Sequence, residues 1–105
     1  GYASYVRRGK AAEATSTLAD MKNRMEQYFQ DNRTYVGGPC APANVKYFGY
    51  ACNTTATTFT ITATPVAGMD MDNFQFTINE AGAKTSTFDG TAGATCWLTS
   101  KSGTC

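Results

Sequence analysis

The sequence contains no histidine. That removes the side chain most often used as a general base near neutral pH and as a metal ligand, so Ser-His-Asp, Cys-His and His-zinc centres cannot be assembled from this chain. No stretch approaches the roughly 20 consecutive apolar residues of a membrane-spanning helix, and no charged-then-apolar signal segment opens it; the expectation is a soluble domain. Excess charge of one sign is missing too. Nine Lys plus Arg stand against eight Asp plus Glu, a net charge of +1, which gives no bulk attraction to nucleic acid or an acidic membrane.

What is present is enough to fold. The 105 residues suit one domain rather than two, and the chain is 42% apolar and only 16% charged, unlike a disordered segment. None of the spacings among Cys40, Cys52, Cys96 and Cys105 gives a CxxC pair of the zinc or thioredoxin kind. An even number without metal spacing implies disulfides and an oxidising compartment. Three pairings are possible; Cys40 with Cys52 and Cys96 with Cys105 is favoured, because each closes a short loop in a turn-rich segment.

Residues 1–30 contain no proline, and Ala11, Ala14, Leu18, Met21, Met25, Tyr28 and Phe29 recur at spacings of three and four. This is an amphipathic helix whose other face carries Glu13, Asp20, Lys22, Asn23, Arg24, Glu26 and Gln27. It should end near Asp31 and Asn32. Met21 and Met25 read as core rather than as a soft copper site. About 29 helical residues span roughly 43 Å, whereas a compact domain of this size is near 33 Å across. The N-terminal end must therefore overshoot the head by about two turns. Tyr2, Tyr5, Val6, Arg7, Arg8 and Lys10 occupy those turns and are the expected contact with a partner or membrane surface.

A helix-to-sheet loop is expected over residues 31–56, where Gly37, Gly38, Pro39 and Pro42 punctuate the chain. An antiparallel sheet is expected over 57–98. Its clearest strand is TTFTITAT at 57–64, with Phe59, Ile61 and Ala63 facing one way and threonines the other. FQFTIN at 74–79 is a second strand; Asn79–Gly82 make a turn, and 83–88 complete a hairpin. A last strand should include Cys96, Trp97 and Leu98, before a disulfide-bounded loop at 96–105. The fold class is α+β: a long helix covering one face of an antiparallel sheet of three or four strands.

Sites of chemistry are sparse. Asp70, Asp72 and Asn73 resemble the opening of a calcium loop, but the motif's glycine and distal glutamate are missing. Asn32-Arg33-Thr34 and Asn53-Thr54-Thr55 fit the short glycosylation sequon. The cluster of Arg7, Arg8 and Lys10 beside Tyr2 and Tyr5 suits a membrane surface or partner better than nucleic acid. No carboxylate pair, nucleophile setting, metal site or cofactor site is recognisable, so no enzymatic activity is expected.

Several segments together resemble a known family. YVRRGKAAEATSTLADMKNRMEQYFQDNRTYVGG at 5–38 is similar to the helix and helix exit of type IV pilins, the PilE-type minor pilins in particular. FTITATP, NEAGAKTS and the Cys96-Trp97 pair resemble that group's strand, hairpin and ending. The resemblance implies a subunit of a bacterial surface filament. The intact form of such a subunit has a leader cleaved and methylated by a prepilin peptidase, followed by some 25 apolar residues held in the inner membrane before assembly. This chain then corresponds to a head domain without the filament-core half of its helix, Gly1 being a cloning remnant, and Arg7, Arg8 and Lys10 lie just outside the membrane core. Residues 33–56 and 96–105 are the edges that set subunit contacts. Similar minor pilins carry a cysteine near the positions of Asn73 and Phe74, which this chain lacks.

The implied function is structural: filament assembly, adhesion and twitching motility, with other pilins and the assembly machinery as partners. The alternatives are a competence pilin that captures DNA and a secretion pseudopilin. The head beyond Arg33 holds only Lys46, Lys84 and Lys101 as cations, which is poor for tracking phosphates, so nucleic acid ranks as a minor partner.

Overall fold

A computed structural model describes residues 1–42 and 45–105. Helix α1 spans Tyr2–Asn32 and buries Ala11, Ala14, Leu18, Met21 and Met25 along one stripe, the periodicity predicted for it. It ends because Arg33 turns into the left-handed region at φ 57°, its N–H donating to the Phe29 carbonyl at 2.7 Å. A glycine usually fills this position. Here aromatic packing holds the turn: Phe29 stacks on Tyr35 at 4.6 Å, and Tyr35 meets Phe59 edge-on at 4.9 Å.

Five antiparallel strands follow in chain order, β1 Phe48–Thr54, β2 Phe59–Pro65, β3 Gln75–Asn79, β4 Lys84–Phe88 and β5 Thr91–Ala94. The helix lies across β2 and β3. Phe48, Phe59, Ile61, Ala63, Phe76, Ile78 and Phe88 alternate inward beneath it, joined by Met71, Phe74 and Leu98. The outward rows carry Thr60, Thr62 and Thr64 on β2, Thr77 on β3 and Thr85 and Thr87 on β4, with Thr62 opposite Thr77 and Thr77 opposite Thr85. Pro65 is accommodated because it ends β2.

Three expectations are corrected. The sheet has five strands rather than three or four, and it begins at Phe48, inside the segment expected as loop. There Phe48, Tyr50 and Cys52 alternate against Gly49, Ala51 and Asn53, and all seven residues of β1 pair with β2. The last strand is Thr91–Ala94 and excludes Cys96, Trp97 and Leu98. Asp89 (φ 49°) and Gly90 (φ 91°) form a two-residue hairpin turn with both residues left-handed, so β5 starts at once. The 96–98 segment then passes beneath β4. The buried Ser86 hydroxyl donates to the Cys96 carbonyl at 2.6 Å and accepts the Leu98 N–H at 3.0 Å. Side-chain bonding there replaces a strand ladder.

The structure pairs Cys40 with Cys52 and Cys96 with Cys105. The first bond ties the helix exit to edge strand β1; the second closes the C-terminal loop.

Candidate functional site

The helix emerges from the head at its N-terminal end. Tyr2 and Tyr5 are 84% and 74% exposed, and Ala11 is the first fully buried residue. The overshoot is partly covered, by a loop rather than a strand. The connection between β2 and β3 reaches back to α1, where Arg7 pairs with Asp70 at 3.1 Å and Lys10 donates to the Met69 carbonyl at 2.8 Å. Asp70 adopts φ 62°, a left-handed turn that aspartate tolerates and that presents its carboxylate to Arg7. Asp72 and Asn73 line a cavity of about 300 Å³ with Arg7, Asp70 and Asp89. The residues read as a calcium-loop opening are thus organised around an arginine. No group of three metal-ligating side chains occurs among the described residues.

The structure adds two cations to this end. Lys46 and Lys10 each place an ammonium 5.0 Å from the centre of the Tyr47 ring. Arg8 and Lys101 line one cavity of about 190 Å³ with Ser4, Arg7, Ser100 and Asp89. Sequence reasoning missed this convergence because Lys46 and Lys101 lie far along the chain from the helix cluster. The Val45-Lys46-Tyr47 run, a cation between apolar neighbours, was the available signal. Val6 is half-buried on α1, between the tyrosines and the cations in sequence.

Beside Lys46, Tyr50 is half-buried against Thr17 and Glu13. Burial raises its phenol above the ordinary tyrosine range; a hydrogen bond with the Thr17 hydroxyl acts against this and the Glu13 charge adds to it. At the opposite end of the head, the Asn79 carboxamide accepts the N–H groups of Ala81 and Ala83 and fixes the β3–β4 turn, after which Lys84 lies 4.6 Å over the Trp97 ring.

Charge pairing divides the nine cations. Arg7, Lys22 and Arg24 hold Asp70, Glu26 and Asp20. Among the described residues, Arg8, Lys10, Arg33, Lys46, Lys84 and Lys101 have no salt-bridge partner. The threonine rows of the outer sheet face carry no charge. The cations without salt-bridge partners therefore sit at the two ends of the head, not on its broad face.

Comparison with known proteins accords with this architecture. No curated protein matches the chain by sequence. Among solved structures, the fold is similar to that of the non-core minor pilin PilV of Neisseria meningitidis, with a TM-score of 0.69, 22% identity, and coverage of 83% of this chain and 92% of that one. The family model described as type IV minor pilin ComP, DNA uptake sequence receptor, matches residues 1–75. That match takes in α1, the helix exit, β1, β2 and the loop to β3, and the chain belongs to this family of type IV minor pilins.

Proposed function

We propose that this minor pilin is a receptor for duplex DNA, displayed on a type IV pilus and acting in DNA uptake. The observation that carries the reading is the family match over residues 1–75, whose description names a DNA uptake sequence receptor. It reverses the order of the sequence-based expectations. Assembly, adhesion and twitching become the second reading, and nucleic acid moves from a minor partner to the principal one. The pseudopilin alternative has no support from the family match.

The charge distribution supports a particular form of this function. With a net charge of +1, non-specific attraction to DNA is weak, so recognition rests on a few contacts at chosen places. Arg33, at the C-terminal end of α1, and Lys84, after the β3–β4 turn, are unpaired and lie away from the projecting helix. They suit contact with backbone phosphates at the outward end of a subunit whose helix packs inward. Before assembly, by the same reading, the head is periplasmic and the subunit is anchored in the inner membrane.

Deletion and complementation test this. A strain lacking the gene should keep its filaments, counted by electron microscopy, and its twitching, while losing DNA uptake. Loss of filaments would instead favour the assembly reading.

A further inference from the structure

We propose that the outer edge of β1 pairs with the same edge of a second copy of this chain, antiparallel and across a two-fold axis at Ala51. The two five-stranded sheets then become one continuous sheet. This inference does not depend on the DNA reading. β1 lies at one edge of the sheet, and its hydrogen bonds to β2 have a fixed phase. The Tyr47 carbonyl accepts the Val66 N–H at 2.9 Å, and the Thr55 N–H donates to the Thr58 carbonyl at 2.9 Å. With the unbroken register between them, Gly49, Ala51 and Asn53 bond toward β2, and Phe48, Tyr50, Cys52 and Thr54 turn their N–H and C=O groups outward. Among the described residues, none of those outward groups bonds to a turn, a loop or another element. The opposite edge is blunted. β5 is four residues long, its register against β4 shifts between Ser86 and Phe88, and Gly93 turns to φ 85°. The C-terminal loop also reaches it, the Thr91 hydroxyl donating to the Lys101 carbonyl at 3.0 Å. β1 has no such device: its seven residues contain no charge, no proline and no bulge. An edge left in that state is a template for another strand.

The strand's fit to itself identifies the occupant. Antiparallel pairing centred on Ala51 sets Phe48 opposite Thr54 of the second copy and Tyr50 opposite its Cys52. These are the residues whose main-chain groups face outward, so they exchange hydrogen bonds, about eight in all. Gly49 then faces Asn53, and Ala51 faces its own counterpart, in the positions where side chains approach most closely. The residue on the axis is a small, exposed alanine, which that approach requires. Like charges do not meet: Lys46, just before the strand, falls opposite Ala56 of the second copy. Because β1 is uncharged, it has nothing with which to select an acidic or a basic peptide, whereas its own sequence satisfies every outward group. A two-fold contact is isologous, while a filament grows by heterologous contacts. The pairing therefore joins unassembled heads, or subunits of two neighbouring filaments, rather than successive subunits of one.

The test is sedimentation equilibrium of the 105-residue chain, with amide hydrogen exchange measured in dilute and concentrated samples. A contact of one strand with another is small among specific interfaces, so the dimer should populate at about 0.1 mM and above. Over the same concentrations the Tyr50 and Cys52 amides should gain protection. Ala51→Lys brings two ammonium groups together on the axis and should weaken self-association about fivefold at low salt. An equal mixture of Ala51→Lys and Ala51→Glu should associate at least as tightly as the unsubstituted chain, because opposite charges then face each other. Asn53→Lys is the control for register. Its two charges lie roughly 13 Å apart along the paired strands, beyond the screening length of about 8 Å at 0.15 M salt, and association should be unchanged. Ala51 and Asn53 are exposed, so the thermal melts of all three variants should match that of the unsubstituted chain. A chain that stays monomeric at about 1 mM, a mixture that associates no better than Ala51→Lys alone, or an equal loss in Asn53→Lys would each overturn the proposal.

Discussion

The Cys40–Cys52 bond offers the sharpest test of how this small head is stabilised. It closes a loop with a sequence separation of 12 and the Cys96–Cys105 bond one of 9. In the chain-entropy description, restricting the unfolded chain through loops of these lengths contributes about 2.5–3 kcal/mol in each case. Loop length alone therefore predicts nearly equal costs. Packing separates them, because Cys40 is 6% exposed and belongs to the core, whereas Cys105 is exposed. Replacing Cys40 and Cys52 by alanine adds a sulfur-sized defect of about 1 kcal/mol, for a total near 4 kcal/mol. Replacing Cys96 and Cys105 should cost about 3 kcal/mol. Against the ~5–15 kcal/mol of a typical domain, either loss lowers the melting temperature by tens of degrees at about 4–8 °C per kcal/mol. Urea denaturation followed by circular dichroism measures both, and the slope should steepen as the unfolded chain expands. A cost below about 1 kcal/mol for the Cys40–Cys52 variant, or a larger cost for the C-terminal one, would refute this reasoning.

Three further perturbations follow from particular contacts. Ser86→Ala leaves the Leu98 N–H and Cys96 carbonyl without their partner and should cost about 1–3 kcal/mol in urea denaturation, with earlier proteolysis of the 96–105 loop. Gly38→Ala would place a Cβ 2.5 Å from the Met25 sulfur and 3.1 Å from the Tyr35 carbonyl; with Met25 fully buried, overpacking should cost about 1–3 kcal/mol. Tyr50 should ionise above the ordinary tyrosine range in a spectrophotometric titration. A folded-state pKa raised above the unfolded value means that its contribution to stability is complete below about pH 10 and is lost as pH rises through the folded pKa. Tyr50→Phe should abolish the late ionisation step and flatten the alkaline fall in stability.

Much of this architecture is legible in the chain because the hydrophobic period is clean where burial is one-sided. Ala11, Ala14, Leu18, Met21 and Met25 mark α1, and Phe59, Ile61 and Ala63 mark β2, since each sequence has only one face to hide. β1 is less legible. Gly49 and the cysteine-bounded segment that runs into it break up its composition, and it becomes a strand because pairing with β2 and the Cys52 tether supply what its propensity lacks. β5 has no apolar pattern at all. Asp89-Gly90, a turn dipeptide with a defined backbone requirement, is the signal for it that the sequence reading passed over. Cys96, Trp97 and Leu98 look like a strand in isolation, but the apolar pattern there reflects packing beneath β4 around a single serine.

The candidate surface divides in the same manner. Tyr2, Tyr5, Arg7, Arg8 and Lys10 are adjacent on one helix, so their grouping is visible from spacing. Lys46 and Lys101 join them only through the tertiary fold, and the pairing of Arg7 with Asp70 spans 63 positions. The near-neutral composition also concealed the DNA reading. A count of charges cannot show which cations are held by carboxylates and which are available to phosphates.

The most direct test of the central claim is selection from a pool of random-sequence DNA duplexes by the purified chain at about 0.15 M salt, with the retained fraction sequenced. A receptor that relies on a few placed contacts should enrich one short sequence. Its affinity should fall with salt at a log–log slope no steeper than about −4, corresponding to four or fewer neutralised phosphates. Recovery of the pool without enrichment, at any protein concentration that binds DNA, would contradict the account.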